Sequence, residues 1–128
     1  MVSSITHGIK VSVESTYRPD YSNPDQQLFI FSYHIVIENK SAEPVQLIKR
    51  HWYINDSLGN KREVKGDGVV GQQPIIEPNN NHAYESACDL RCEFGHMYGV
   101  YIMKNLLTGK TIRVNIPKFQ MAVPYKLN

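Results

Sequence analysis

In most of the apolar runs of this chain, apolar residues recur at every second position. Nowhere do they recur with the 3.6-residue spacing of a helix over three turns. The strongest case is Leu28 to Asn39. Phe29, Phe31, Tyr33, Ile35 and Ile37 share one face, and Leu28, Ile30 and Val36 lie on the other with Ser32, His34 and Glu38. A strand apolar on both faces belongs in the middle of a sheet. Composition agrees: valine and isoleucine total 23 and leucine and alanine 11. β-branched side chains suit a pleated surface better than a helix.

The remaining runs are shorter. Ile9, Val11 and Val13 alternate with polar residues up to Tyr17. Val45 to Asn55 places Ile48, Trp52 and Ile54 opposite Lys49, His51 and Tyr53. Lys61 to Lys65 is short and charged, as an edge strand should be. Further strands are expected near Ile75-Ile76 and over His82–Leu90, Met97–Lys104 and Thr111–Ile116, with no pattern from Pro117 onward. Turn clusters such as Asn39–Pro44 and Asp56–Asn60 separate them. Seven to eight antiparallel strands of this kind bury their faces only by stacking two sheets or closing a barrel, and Trp52 suits a sandwich core.

The 128 residues fit one domain, with a core of about 8–119 and a C-terminal tail at 120–128. Charged residues make up 20% and the net charge is +2, which excludes a disordered chain. No apolar stretch is long enough for a membrane helix, and Met1–Lys10 lacks the pattern of a secretory signal. A cytoplasmic protein without membrane contact is expected.

Four groups of residues could carry chemistry. Gly66-Asp-Gly-Val-Val-Gly71 spells G-x-G-x-x-G, the dinucleotide-binding spacing, but Pro74 and Pro78 follow where that fold needs a helix. The glycines are therefore expected to shape a bend. An anion cradle built from Gly66, Asp67, Gly68, Gly71 and Gln73, aided by Arg50 or Lys65, is the alternative. Cys88, Cys92 and His96 have the right atoms for zinc at the wrong spacing. Arg50, His51 and Trp52, within Lys49–Tyr53, interleave basic and aromatic residues. Alternation puts Arg50 with Trp52 and turns His51 away, so a core tryptophan beside a solvated face is expected. Lys104–Asn128 holds five basic and no acidic residues, enough only for non-specific contact with nucleic acid. No nucleophile elbow or HExxH pair is present, and no cofactor is expected.

Several short pieces, in order, give the chain a family likeness. They are Ile37-Glu-Asn39, Glu43-Pro-Val-Gln-Leu47, Arg50-His-Trp52, Gly66–Pro74, Tyr84-Glu-Ser-Ala-Cys88, Gly95-His-Met97, Gly99–Met103 and Ile116-Pro-Lys-Phe119. From about Ile9 to Phe119 the chain resembles the ApaG family. Ser86-Ala-Cys88 departs from the usual Ser-Gly-Cys, and Arg91–Phe94 replaces a proline-containing segment, so Cys92 and His96 lie outside the family pattern. The resemblance implies an immunoglobulin- or fibronectin type III-like sandwich and no established enzyme activity. It carries a label of cobalt and magnesium resistance, which a chain without a membrane span can serve only indirectly. It also implies protein interaction, since the domain is fused to interaction proteins in eukaryotes, and its glycine motif has prompted suggestions of pyrophosphate binding. The expectation is a non-catalytic interaction module with an unidentified protein partner. A small anion or nucleotide is the alternative ligand, and a metal-binding protein or metal-dependent enzyme using Cys88, Cys92 and His96 the second alternative. A homodimer through an open sheet edge is left open.

Overall fold

The computed structural model describes residues 1–124. Nine strands are present among them: β1 (Val2–Thr6), β2 (Ile9–Tyr17), β3 (Phe29–Asn39), β4 (Val45–Asp56), β5 (Lys61–Asp67), β6 (Ile75–Ile76), β7 (Asn81–Leu90), β8 (Phe94–Asn105) and β9 (Thr111–Ala122). One sheet runs β1-β2-β3-β7 and the other β5-β4-β8-β9, with β6 also on β4. All the strand pairs are antiparallel. The two sheets form a sandwich, the first of the two arrangements that the alternation allowed, and β3 lies inside its sheet as its two apolar faces required.

The core is built from the alternating positions. Ile9, Val11 and Val13 of β2 and Phe29, Phe31, Tyr33, Ile35 and Ile37 of β3 face Leu47, Trp52, Tyr101, Met103, Val114 and Met121. At its centre Tyr33, Trp52 and Phe119 pack edge-on or tilted, with ring centroids 5.4–6.0 Å apart. Such aromatic pairs add to the stabilisation from buried area.

Three local features differ from the alternation pattern. β1 adds a strand before β2, joined through His7 and Gly8, both at positive φ, as a two-residue hairpin turn requires. In β4 a bulge falls between Leu47 and Lys49. Leu47 is therefore the core residue and Ile48 is only half-buried, whereas the parity from Lys49 onward holds. β9 continues past Ile116 to Ala122 and includes Pro117. The register shift between Met97 and Gly99 places Pro117 at a bulge, where no ladder donor is missed. Residues 120–122, assigned from sequence to the tail, thus belong to β9, while 125–128 lie outside the described residues.

Asn39 is fully buried, yet its side chain is satisfied. Its Nδ2 donates to the carbonyls of Glu43 (2.8 Å) and Ile76 (2.9 Å), and its Oδ1 accepts from Ser41. This network ties the end of β3 in one sheet to β6 in the other.

Candidate functional site

The glycine segment leaves the end of β5 and returns as β6, both paired to β4. Residues 72–80 form turns and β6, with no helix. The loop is pinned to the bulge. The Ile48 carbonyl accepts both the Gly68 N–H (2.8 Å) and Gln73 Nε2 (3.0 Å). Val69 and Gln72 exchange backbone bonds across a tight turn whose central residues, Val70 and Gly71, have φ of 47° and 75°. A β-branched residue in that region is an outlier. Val70 is nevertheless held there with its side chain in solvent, while Val69 beside it is buried.

Gly66 and Gly68 serve different contacts. Arg50 lies directly across from Gly66, where a Cβ would come within 2.7–2.8 Å of the guanidinium. From there Arg50 Nη1 donates to the carbonyls of Asp67 (2.9 Å) and Gly68 (3.0 Å). At Gly68 a Cβ would sit 2.0 Å from the Gln72 carbonyl oxygen. The motif thus wraps a loop over an arginine. The Gly68, Val69 and Gln72 amides are engaged within the loop or with β4.

Beneath the loop a cleft of about 350 Å³ opens between the sheets, lined by Arg50, Tyr33, Tyr84, Ser86, Val69 and Gly71 among others. Tyr84 and Tyr101, from different sheets, share a hydrogen bond through their hydroxyls. Burial pushes Tyr33, Tyr84 and Tyr101 above the ordinary tyrosine range, and Arg50 opposes the shift in all three. These hydroxyls are neutral donors at physiological pH beside a fixed positive charge.

The other residues singled out from sequence do not converge here. Trp52 is in the core and His51 is on the opposite face of β4, facing Lys65. His51 Nε2 lies 3.5 Å from Glu63 Oε1, long for a hydrogen bond, and its ring stacks on Tyr53. Lys65 lies on the His51 side and does not line the cleft. Asp67 contributes its carbonyl to Arg50, and Gln73 acts as an anchor. Cys88 is buried on β7, receives Arg62 Nη2 at 3.3 Å, and has its thiol pushed up by burial. Cys92 contacts Ser57, and His96 packs edge-on against Phe94 on β8, its pKa lowered by burial and by Lys118. Among the described residues no three His, Cys, Asp or Glu side chains form a metal-holding group. Tyr33, Tyr84 and Tyr101 were not singled out from sequence. Their inward positions on three strands follow from alternation, but their meeting needs the sheet pairing.

A family model for the ApaG domain matches residues 19–105. Protein ApaG of Anaeromyxobacter dehalogenans is 43% identical over 128 residues, covering 100% of both chains. Protein ApaG of Parvibaculum lavamentivorans is 41% identical over 98% of this chain and 95% of its own. Among solved structures, the putative ApaA protein from Bordetella pertussis superposes with a TM-score of 0.87 at 40% identity, over 91% of this chain and 94% of that one. A Bacteroides uniformis β-glucuronidase matches at TM-score 0.50 and 12% identity over 13% of its length, a likeness of fold alone.

Proposed function

Since this chain belongs to the ApaG family, we propose that it is a non-catalytic β-sandwich binding module that presents its glycine loop to a protein partner. One observation carries the reading: Val70 is 63% exposed at φ 47° on a loop whose two ends are pinned to Ile48 and Arg50. Strain of this kind costs on the order of 1–3 kcal/mol and persists only where the surroundings over-determine it. It holds an apolar side chain out into water on the loop between the edge strand β5, which exposes Val64, and β6, which exposes Ile75. A rigid apolar tip flanked by an open edge is a surface for another protein. The state of Cys88 supports the non-catalytic half: its thiol is buried and held protonated. Any part in cobalt or magnesium tolerance is then exerted through the partner.

A photo-crosslinking residue at position 70 tests this in cells. One discrete adduct is expected, lost when Val64→Asp accompanies it and absent with the crosslinker at the exposed Leu58. No adduct, or the same adducts from both positions, rejects the reading.

The cleft favours one second reading, a small phosphate-like anion held by Arg50 and the Tyr33, Tyr84 and Ser86 hydroxyls. Calorimetry with pyrophosphate should then give heat that Tyr84→Phe reduces, and no heat at millimolar ligand removes it.

A further inference from the structure

We propose that the outer face of the second sheet binds single-stranded nucleic acid, with bases stacking on a tyrosine row and phosphates seated on flanking lysines and arginine. This surface lies on the opposite side of β4 from the cleft and is independent of the function proposed above. β4 turns Lys49, His51 and Tyr53 outward, and Tyr98 of β8 stands directly opposite Tyr53. The rings lie nearly parallel. His51 and Tyr53 centroids are 4.4 Å apart at 27°, and Tyr53 and Tyr98 are 5.1 Å apart at 16°. The core aromatics meet edge-on or tilted, whereas this row is stacked and faces away from the core.

Beside the row lies a hollow of about 520 Å³. Tyr53 and Tyr98 give it aromatic surface, Asn55 and Asn115 give it amides, and Arg113 and Lys118 give it positive charge. A second hollow, of about 360 Å³, is lined by Lys49, His51 and Lys65. The two share Val100 and Arg113, so they adjoin along the face and are together called the groove. Asp67 is the acid among the residues lining either, and Glu63, across from Tyr53 on β5 and 3.5 Å from His51, is a second carboxylate on this face.

The groove's chemistry selects its occupant. Tyr53 already stacks on both His51 and Tyr98, so a base of any identity extends the row at its end, and interspersed cations follow a phosphate backbone. A free nucleotide would fill one hollow and leave the cations of the other unused. A duplex hides the base faces that the tyrosines would meet. An acidic peptide would engage the cations but not the ring stack. The groove therefore fits a short single strand, bound with little sequence preference.

The test is fluorescence anisotropy of a labelled ten-nucleotide oligouridine with the whole chain at low salt. Binding is expected, weakened about tenfold or more by Tyr98→Ala and by Tyr53→Ala, and restored by Tyr98→Phe and Tyr53→Phe, which keep the stacking face. Arg113→Gln and Lys118→Gln should each flatten the dependence of log affinity on log salt by about 0.7. Leu58→Ser, at an exposed turn, should bind as the parent does. Circular dichroism melts confirm that each variant is folded. No anisotropy change at about 50 μM protein overturns the proposal, as does alanine variants binding like the parent. Uridine monophosphate or a duplex of the same length competing as well as the single strand also overturns it.

Discussion

The two lateral sides of the sandwich are closed by opposite means. Where β1 and β2 meet β9, short hydroxyls reach backbone directly. Ser4 Oγ donates to the Asn115 carbonyl at 3.1 Å, Ser15 Oγ to that of Gln120 at 2.7 Å, and Thr6 Oγ1 accepts the Asn115 N–H at 3.2 Å. Where β5 meets β7 the work falls to arginines. Arg62 reaches from β5 to the Asp89 carboxylate at 3.4 Å and to the Asp89 carbonyl, and Arg50 supports the loop above. A hydroxyl bond needs strands already in contact, whereas an arginine spans a gap. On the first side the strands touch closely enough for hydroxyls to reach backbone. The spanned side holds the cleft, the strained turn and the exposed valines.

Substitution inside the glycine motif should break the spanned side most severely. Gly68→Val places a Cβ 2.0 Å from the Gln72 carbonyl oxygen at a φ of +61°, so backbone must move. A loss of more than about 3 kcal/mol in urea unfolding is expected. Gly71→Ala meets nothing within 4 Å and carries only the left-handed strain at φ +75°, for about 1 kcal/mol. Equal losses would mean that the motif acts as one flexible unit and not as a bend fixed at Gly68.

High pH should come next in effect, because three groups act together. Tyr33, Tyr84 and Tyr101 have folded pKa values raised above the unfolded value, so the native state keeps protons that the unfolded chain releases. Stability is then undiminished below about pH 10 and falls as pH rises beyond it. Ultraviolet titration should find these three phenols ionising only with unfolding. Tyr84→Phe should shift that alkaline transition, while Ser15→Ala on the first side should leave its pH unchanged.

The same contrast explains how much could be read from residues alone. Alternation identified an all-β chain of stacked or closed sheets, the inner position of β3, the core role of Trp52 and the side of β4 on which Arg50 lies, because parity survives wherever a strand is unbroken. It misplaced Ile48 because one inserted residue flips every assignment before it. It stopped β9 at Pro117 because proline usually ends a strand, and only the partner strand's register reveals a bulge that tolerates it. It passed over β1, whose residues are mostly exposed and depend on β2 and β9 for their place. At the site, the glycine spacing was visible but its reason was not. Gly66 is small because Arg50 lies on it, and that pairing arises only when β4 and β5 are in register. The Tyr53–Tyr98 row was hidden for the same cause: each ring comes from a separate strand.

Removing one closing group from each side gives the finest test of the contrast. Arg50→Met keeps an aliphatic stem over Gly66 but removes two charge-assisted bonds to carbonyls at the loop. Those carbonyls gain access to water once released, so the expected loss is about 1–2 kcal/mol, below that for a fully buried pair. The Val70 turn should also become sensitive to protease. Ser15→Ala removes a single neutral bond at an exposed position and should cost about 0.5–1 kcal/mol, with no new cleavage site. If Ser15→Ala instead opens β2 from β9 to proteolysis, the hydroxyl bonds hold that side together and its closure is as conditional as that of the side spanned by arginine. If Arg50→Met leaves the turn resistant, the Ile48 carbonyl, with its bonds from Gly68 and Gln73, is sufficient to hold the loop. Arg50 would then be free to serve the cleft.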